Sequence, residues 1–282
     1  MPATTRRSGP GYWIVLAVIG LIGGLLSGAF GVGGGIVMVP LLMTIVGIDQ
    51  RRAGAISLVA IIPTALLGSG TYFLNDEIDL VGGGIIASGA VVGAIIGAVL
   101  LRSIPLVWLR WMFIVLLLVV AVRMALLEPV RGDQFDLTPL VFFGYVALGL
   151  VMGIASGLFG IGGGVIAVPV LVAIFGISDL VAKGTSLFAL LPTGIVGTIA
   201  NFRAGLVDLR AGVVVGLAAV LASVPGVALA LLMTPRVSSM LFAALLALAA
   251  IQLAVRALRP RRAPGGQDET PPGAPEPDAP KE

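Results

Sequence analysis

Residues 27–40 read SGAFGVGGGIVMVP, and residues 156–169 read SGLFGIGGGVIAVP. Nine of the fourteen aligned positions are identical, including three consecutive glycines and a closing proline. Both stretches lie inside long apolar segments, although glycine and proline are poor residues for a helix interior. The chain therefore interrupts its own helices at the same place twice, and the interpretation of the remaining sequence starts from this repetition.

The composition is typical of an integral membrane protein. Of the 282 residues, 58% are hydrophobic and 11% are charged, whereas a soluble domain carries about a quarter charged residues. We therefore expect most of the surface to face lipid. The sequence has no Cys and no His, so thiolate nucleophiles, imidazole bases and the usual zinc or haem ligands are absent, and we expect no cofactor. The net charge of +3 lies at the ends of apolar segments, which argues against nucleic-acid binding.

Eight apolar segments form two copies of the same pattern. Each is long enough for a membrane crossing, which needs about 20 helical residues. They lie near residues 12–46, 53–74, 80–101, 106–127, 140–175, 182–202, 209–233 and 237–258. The halves align without a gap at an offset of 129, so that Ser27 falls on Ser156 and Asp79 on Asp208. The sequence predicts an all-α polytopic membrane protein that arose by internal duplication.

This pattern divides the chain into five parts. Residues 12–127 form membrane repeat 1 and residues 140–258 form repeat 2, joined by a polar connector over residues 128–139. A short N-terminal segment, 1–11, precedes them. The tail over residues 259–282 is rich in Pro, Gly and charge and is predicted to be disordered.

The direction of the two repeats depends on the first segment of each, which is too long for one crossing. If it turns back at its glycines, as a re-entrant hairpin or as two crossings, the copies are inverted. Most of the 17 Lys and Arg residues then lie on one side, which leaves Arg123, Arg131, Lys183 and Arg236 on the other. If every segment crosses once, the copies are parallel and the charges divide about evenly. Because short cytoplasmic loops collect Lys and Arg, we predict inverted repeats with both termini cytoplasmic.

The glycine-rich breaks are the predicted binding site. A broken helix is tolerated in a membrane only where it is buried in protein or lines a cavity, and the helix that restarts presents free amides and a positive dipole end, which bind anions. Transporters with inverted repeats place such breaks around the substrate; close helix packing is the alternative use of glycine. The predicted binding glycines are Gly31, Gly33, Gly34, Gly35, Gly160, Gly162, Gly163 and Gly164.

The duplicated SGxFGxGGGxxxVP element, with AGAISLVAIIPT (53–64) and AKGTSLFALLPT (182–193) after it, resembles the sulfite exporter TauE/SafE family of membrane permeases over residues 12–258. The resemblance implies a secondary transporter in the bacterial inner membrane that exports small anions such as sulfite, sulfoacetate or other organosulfonates. Its partners would be the anionic substrate and the lipid bilayer, and a homodimer is one assembly that the composition permits.

Several polar side chains are further candidates. The hydroxyls of Ser57, Thr185 and Ser186 could donate to substrate oxygens or bond to their own helix carbonyls. Thr64 and Thr193 follow prolines, where a structural role is expected. The predicted helix-breaking prolines are Pro40, Pro63, Pro169 and Pro192.

Three residues are candidates for a gate or a cavity rim. Lys183, which aligns with Gly54, is either an interfacial lysine that extends to the membrane surface or a gating charge. Tyr72 and Asn201 align with each other at segment ends, where a rim position or an interfacial anchor explains them. Asp79 and Asp208 open their segments and are predicted helix N-caps.

Two other classes of function are alternatives to transport. A membrane scaffold without cargo fits the composition but gives the duplicated breaks no purpose. An integral-membrane enzyme would need a nucleophile or general base that this sequence does not offer, so we predict that the protein is not an enzyme.

The inverted arrangement predicts that the connector faces the periplasm. A single cysteine at Gln134, in a chain with no native cysteine, should react with a membrane-impermeant maleimide in intact cells. Reaction only after lysis would contradict the inverted arrangement.

Overall fold

The computed structural model describes residues 9–126 and 138–258. Most of the N-terminal segment and connector, and the whole tail beyond residue 258, lie outside the described residues, so the predictions for them stay predictions. Within the described part every regular element is helical, which confirms the all-α fold, and eight helices are long and apolar enough to span a membrane.

Ten helices follow one another along the described chain. They are α1 (Pro10–Phe30), α2 (Gly35–Leu41), α3 (Gln50–Phe73), α4 (Leu80–Ser103), α5 (Leu106–Leu126), α6 (Pro139–Phe159), α7 (Gly164–Ala173), α8 (Asp179–Arg203), α9 (Leu209–Leu232) and α10 (Pro235–Leu258). A π-helical turn over Leu42–Val46 extends α2. By the offset of 129, α1 to α5 correspond to α6 to α10.

Side-chain caps fix the starts of several helices. The Asp79 carboxylate accepts a hydrogen bond from the Gly82 amide and begins α4, and Asp208 accepts one from the Ala211 amide and begins α9. These bonds confirm the N-cap prediction for both aspartates, because each satisfies an amide that has no partner inside its helix.

The helices continue through their prolines. Pro40 lies in α2, Pro63 in α3, Pro169 in α7 and Pro192 in α8. The prediction that Pro63, Pro169 and Pro192 break their helices is therefore wrong, whereas α2 ends at Leu41, one residue after Pro40, and changes there to the π-helical turn. Beside two of the prolines a hydroxyl bonds back to the helix, because Thr64 Oγ1 donates to the Ala60 carbonyl at 2.7 Å and Thr193 Oγ1 to the Ala189 carbonyl at 2.9 Å. The structural role predicted for both threonines is confirmed.

Two equivalent helix pairs form the most extensive contacts, α4 with α6 and α1 with α9. Glycines let the backbones approach closely. A Cβ on Gly93 of α4 would overlap the Leu150 carbonyl of α6, and one on Gly97 would overlap the Ile154 carbonyl. The contacting residue numbers increase together along α4 and α6, so these two helices run parallel. Gly20 with Val215 and Gly24 with Ala219 show the same for α1 and α9.

The central pair, α3 and α8, runs antiparallel. Gly68 of α3 contacts Leu187, whereas Leu58 contacts Gly197. Since α3 is parallel to α9 at Gly212 and Gly216, helices α1, α3 and α9 begin at one end of the bundle, called here the α1 end. Helices α4, α6 and α8 begin at the opposite end, called the α6 end. Equivalent helices of the two halves thus run in opposite directions, which favours the inverted arrangement.

Helices α5 and α10 pack against each other and are set apart from the rest by apolar grooves. One groove lies between α5 and α6, at Met112, Val115 and Ile154. The other lies between α10 and α1, at the equivalent residues Leu241, Ala244 and Leu25. The α5–α10 pair is therefore separated from its neighbours α6 and α1 by open apolar grooves.

The outward faces of the helices are apolar. Ile14 of α1, Trp108 of α5 and Leu221 of α9 are all more than 60% exposed. By contrast, Asp179 and Lys183 are the only buried charged residues among the side chains that the structure describes. The exposed side chains are thus apolar and the buried charged side chains lie inside the bundle, as a protein surrounded by lipid requires.

The close approach of α4 and α6 generates a stability prediction. Gly93→Ala should lower the thermal midpoint of the detergent-purified protein by several degrees, because overpacking costs about 1–3 kcal/mol. Gly84→Ala is the matched control on the same helix, since a Cβ there meets nothing within 4 Å. Equal midpoints for the two variants would contradict the packing described here.

Candidate functional site

Each glycine-rich stretch ends one helix and begins another. Helix α1 ends where the Gly31 amide donates to the Ser27 carbonyl at 2.8 Å, and α2 begins at Gly35. Between them, Gly33 and Gly34 have φ of +77° and +75°. A side chain in this left-handed region would cost about 1–2 kcal/mol per residue, so glycine is needed here. The second stretch repeats the geometry, with positive φ at Gly160, Gly162 and Gly163.

The chain folds back at each stretch. Gly34 lies against the Gly23 carbonyl of α1, and the Met38 side chain of α2 packs on Gly23. In the second half Gly163 lies in the same way against Met152 of α6. Each short helix therefore returns alongside the long helix that precedes it.

The two stretches meet each other in the middle of the bundle. A Cβ on Gly35 would lie 2.6 Å from the Ile161 Cα, and one on Gly164 would lie 2.7 Å from the Val32 Cα. Gly33 and Gly162 both contact Ile61 of α3 and Leu190 of α8. Ile61 lies halfway along the 24-residue α3, and Leu190 halfway along the 25-residue α8. The breaks thus lie near the midpoint of the spanning helices.

The helices that restart there carry free amides. The first backbone bond of α2 runs from the Val37 amide to the Gly34 carbonyl, and that of α7 from the Ile166 amide to the Gly163 carbonyl. The amides of Gly35 and Gly164 therefore have no partner within their own helices. Two positive dipole ends consequently lie close together in the protein interior.

Buried serine hydroxyls accompany these amides. Ser57 Oγ lies 2.7 Å from the position of a Cβ on Gly35, and Ser186 Oγ lies 2.9 Å from that on Gly164. Both serines are fully buried, and neither hydroxyl has a hydrogen-bond partner among the described residues. The alternative that they bond to their own helix carbonyls is not observed.

Two further serines were missed by the sequence analysis. Ser27 and Ser156 are also fully buried, and their hydroxyls have no partner within the described part of the chain. Each lies one helical turn before its break. Their signal was present in the sequence, because they open the duplicated element and are identical in both copies.

Thr185 makes a different contact from its neighbour Ser186. Its Oγ1 accepts a hydrogen bond from the Asp79 amide at 2.9 Å and so joins α8 to the start of α4. The structure therefore gives this hydroxyl a bond between helices. The substrate contact predicted for it stays a prediction.

Lys183 is buried and not interfacial. It is 1% exposed, and its Nζ lies 2.7 Å from Asp179 Oδ2 and 2.7 Å from Ser238 Oγ of α10. The interpretation as an interfacial lysine is wrong because α8 begins at Asp179, which places Lys183 a full turn inside the helix. Its backbone packs against Gly31 at the first break.

Tyr72 and Asn201 occupy equivalent buried positions. Tyr72 is fully buried and its hydroxyl donates to the Gly28 carbonyl at 2.8 Å, so the interpretation as an interfacial anchor is wrong. Asn201 is 3% exposed and lines a narrow polar crevice beside Gly160. Both side chains therefore lie next to a break, although a rim role stays a prediction.

The described residues contain no group of three or more His, Cys, Asp or Glu side chains that could hold a metal ion. The two breaks bring together backbone amides and serine hydroxyls, both of which can donate hydrogen bonds. Free amides at helix N-termini, with hydroxyl donors beside them, suit a small anion.

Comparisons with known proteins identify relatives. The sequence profile described as "Sulfite exporter TauE/SafE" matches residues 2–142 and 145–278. The chain is 30% identical over 220 residues to the probable membrane transporter protein YunE of Bacillus subtilis, covering 70% of this chain and 80% of that one. It is 28% identical over 200 residues to the probable membrane transporter protein YdhB of the same organism, covering 69% and 80%. A probable membrane transporter protein of Haemophilus influenzae is 30% identical over 212 residues, covering 68% and 74%.

Proposed function

The chain belongs to the sulfite exporter TauE/SafE family of membrane transporters, and we propose that it carries small anions such as sulfite, sulfoacetate or other organosulfonates by alternating access around the paired glycine breaks. We place it in the bacterial inner membrane as a multi-pass protein with both termini in the cytoplasm. The family description supports the transporter class. The geometry of the breaks supports a small anion, and the choice of sulfite or an organosulfonate rests on the family description.

One observation carries the proposal. Ser57 and Ser186 are fully buried, lack hydrogen-bond partners in the described structure, and lie beside the free amides of Gly35 and Gly164. A buried hydroxyl without a partner costs about 1–3 kcal/mol, and both halves of the molecule bear this cost at equivalent positions. An anion between the two breaks would accept hydrogen bonds from both serines and both amides and so remove the cost.

The arrangement of helices supports alternating access. The breaks lie at the midpoint of the antiparallel α3 and α8, so a guest held there has half of the bundle on either side. Inverted halves can exchange conformations, which opens the same site to one membrane face and then to the other. In the present structure the two breaks are in direct contact, which corresponds to a closed centre.

Lys183 is proposed as the gate at the α6 end. Its ammonium group joins α8 to Ser238 near the start of α10, beside the first break. Apolar grooves separate the α5–α10 pair from α1 and α6, and this hydrogen bond is a polar contact between α10 and α8. Opening at this end would require the bond between Lys183 and Ser238 to break.

The anion site is tested by removing the serine hydroxyls. Ser57→Ala and Ser186→Ala should each weaken sulfite binding about tenfold or more, since a hydrogen bond to a charged group contributes about 1.5–3 kcal/mol. Sulfite-dependent thermal shift and counterflow of labelled sulfite in proteoliposomes measure the effect.

Ser223→Ala is the matched control, because Ser223 is also fully buried without a partner in the described residues but packs between α9 and α1. Unchanged affinity in both serine variants would remove the proposed site. A wild-type protein that neither binds nor exchanges sulfite, sulfoacetate or ethanesulfonate would remove the proposed function.

The proposed gate is tested at Ser238, the second hydrogen-bond partner of Lys183. Ser238→Ala should change the counterflow rate several-fold while sulfite affinity stays within about twofold, because the hydroxyl lies on the gate and not on the anion site. Ser239→Ala, a neighbouring buried serine, is the control. Equal rates for wild type and Ser238→Ala would show that the bond to Lys183 only supports the fold.

A further inference from the structure

A second buried polar group lies at the α1 end of the bundle. Gln50, in the first turn of α3, is 2% exposed, and neither its Nε2 nor its Oε1 has a hydrogen-bond partner among the described residues. It lines a crevice together with Arg51, Gly54, Asn201 and the second break at Gly160. A buried amide without partners is unfavourable, so its unpaired Nε2 donor points to a guest that accepts a hydrogen bond.

The opposite end of the molecule shows what fills the equivalent space. By the offset of 129, Gln50 corresponds to Asp179 and Gly54 to Lys183. At the α6 end the Lys183 side chain occupies the position beside the first break and is bonded to Asp179 and Ser238. At the α1 end glycine replaces that lysine, so no side chain of this position enters the crevice. The two ends share a backbone arrangement, and one of them lacks the internal charge.

The donors around the crevice define the charge of the guest. Arg51 Nε is buried without a partner in the described structure, while its Nη2 donates to the Ile104 carbonyl at 2.9 Å. The carboxylate at the start of α3, Asp49, is already occupied by the amides of Arg51 and Arg52 and by the Arg52 side chain. The remaining donors are a guanidinium nitrogen and the Gln50 amide, at the positive end of the α3 dipole.

We propose that this crevice is a second anion subsite, at the α1 end, which takes the oxyanion head of the transported substrate through Gln50 and Arg51. The inference rests on the proposed transport function and extends it. The crevice has no room for a water molecule in this closed structure. The anion therefore enters it when the second break moves and the α1 end opens. In the predicted orientation this end faces the cytoplasm, so the subsite is the first or last contact on that side.

The buried polar side chains at the two ends of the bundle differ, and this difference affects how strongly each end binds the anion. An anion that leaves the central site toward the α6 end meets Lys183, which is neutralised by Asp179. An anion at the α1 end meets Arg51, whose Nε lacks a partner in the described residues. The two faces of the transporter should therefore differ in their affinity for the same anion, with the higher affinity at the α1 end.

Three variants of the full-length protein test the subsite. Gln50→Leu keeps a side chain of similar size and removes the amide, so the free protein should be as stable as wild type or more so. Gln50→Asp combined with Gly54→Lys installs the ion pair of the opposite end and should fill the crevice. A Cβ on Gly54 would lie 3.0 Å from the Phe159 carbonyl oxygen, which is a tight contact, so the lysine requires the backbone at the second break to shift by a few tenths of an ångström. Gln252→Leu, at a partly buried glutamine that bonds to Thr44, is the control.

The experiment measures sulfite counterflow in proteoliposomes that contain a variant with a single introduced cysteine. A membrane-impermeant reagent on that cysteine blocks the molecules of one orientation, so that transport is measured from one end at a time. Both Gln50 variants should weaken apparent sulfite affinity about tenfold or more from the α1 end and less than threefold from the α6 end. The control should behave like wild type from both ends. Thermal midpoints without sulfite show whether each variant is folded.

The outcomes separate the subsite from the transport function. If wild type exchanges sulfite and both Gln50 variants match it from either end, the subsite is overturned and the proposed function stands. An equal loss from both ends, or a lowered thermal midpoint with unchanged affinity, gives Gln50 a structural role and also overturns the subsite. If wild type exchanges no small anion, both proposals fail together.

Discussion

The structure depends on one constraint: a backbone break inside a membrane must be enclosed by protein. Every lipid-facing amide or carbonyl without a partner costs several kcal/mol, and this chain has two such breaks at its centre. Each break encloses the other, since Gly35 lies on Ile161 and Gly164 on Val32. Helices α3 and α8 cover them from the sides, and the close pairs α1–α9 and α4–α6 form the surrounding wall. The many glycines of those pairs are a consequence, because the wall must approach the centre closely.

The sequence predicts those features of this arrangement that depend on neighbouring residues and that occur in both halves. Duplication allows the glycine element, the N-capping Asp79 and Asp208 and the spanning segments to be identified independently in each half. Pro63, Pro169 and Pro192 were misjudged because local rules treat each proline as a break, whereas α3, α7 and α8 continue past them. Inside a membrane bundle the surrounding helices tolerate such prolines, so residue type alone does not decide where a helix ends.

The polar interior was less predictable because its contacts join distant elements. Lys183 and Ser238 are 55 residues apart and lie on different helices, and no periodicity connects them. The hydropathy pattern also predicted that the segment containing Lys183 begins at residue 182, whereas α8 begins three residues earlier, at Asp179. That small displacement moved Lys183 from the interior to the membrane surface and hid its ion pair. Ser27 and Ser156 are identical in the repeat, but the sequence does not show that their hydroxyls are buried without a partner.

The two halves share their backbone arrangement and differ in their buried polar side chains, and under the proposed mechanism this difference makes the two faces of the protein unequal. A perfectly symmetric inverted repeat would have equal free energies when open to either side, so nothing in the protein itself would favour one face. Here the Lys183 ammonium joins α8 to Ser238 of α10, and in the proposed mechanism this bond breaks when the α6 end opens, whereas its bond to Asp179 lies within α8. Gln50, Gly54 and Leu109 stand at the equivalent positions of the α1 end, where Gln50 makes no such bond in the described structure. We therefore expect the two ends to differ in the cost of opening, and a guest that accepts hydrogen bonds from Gln50 and Arg51 would lower that cost at the α1 end.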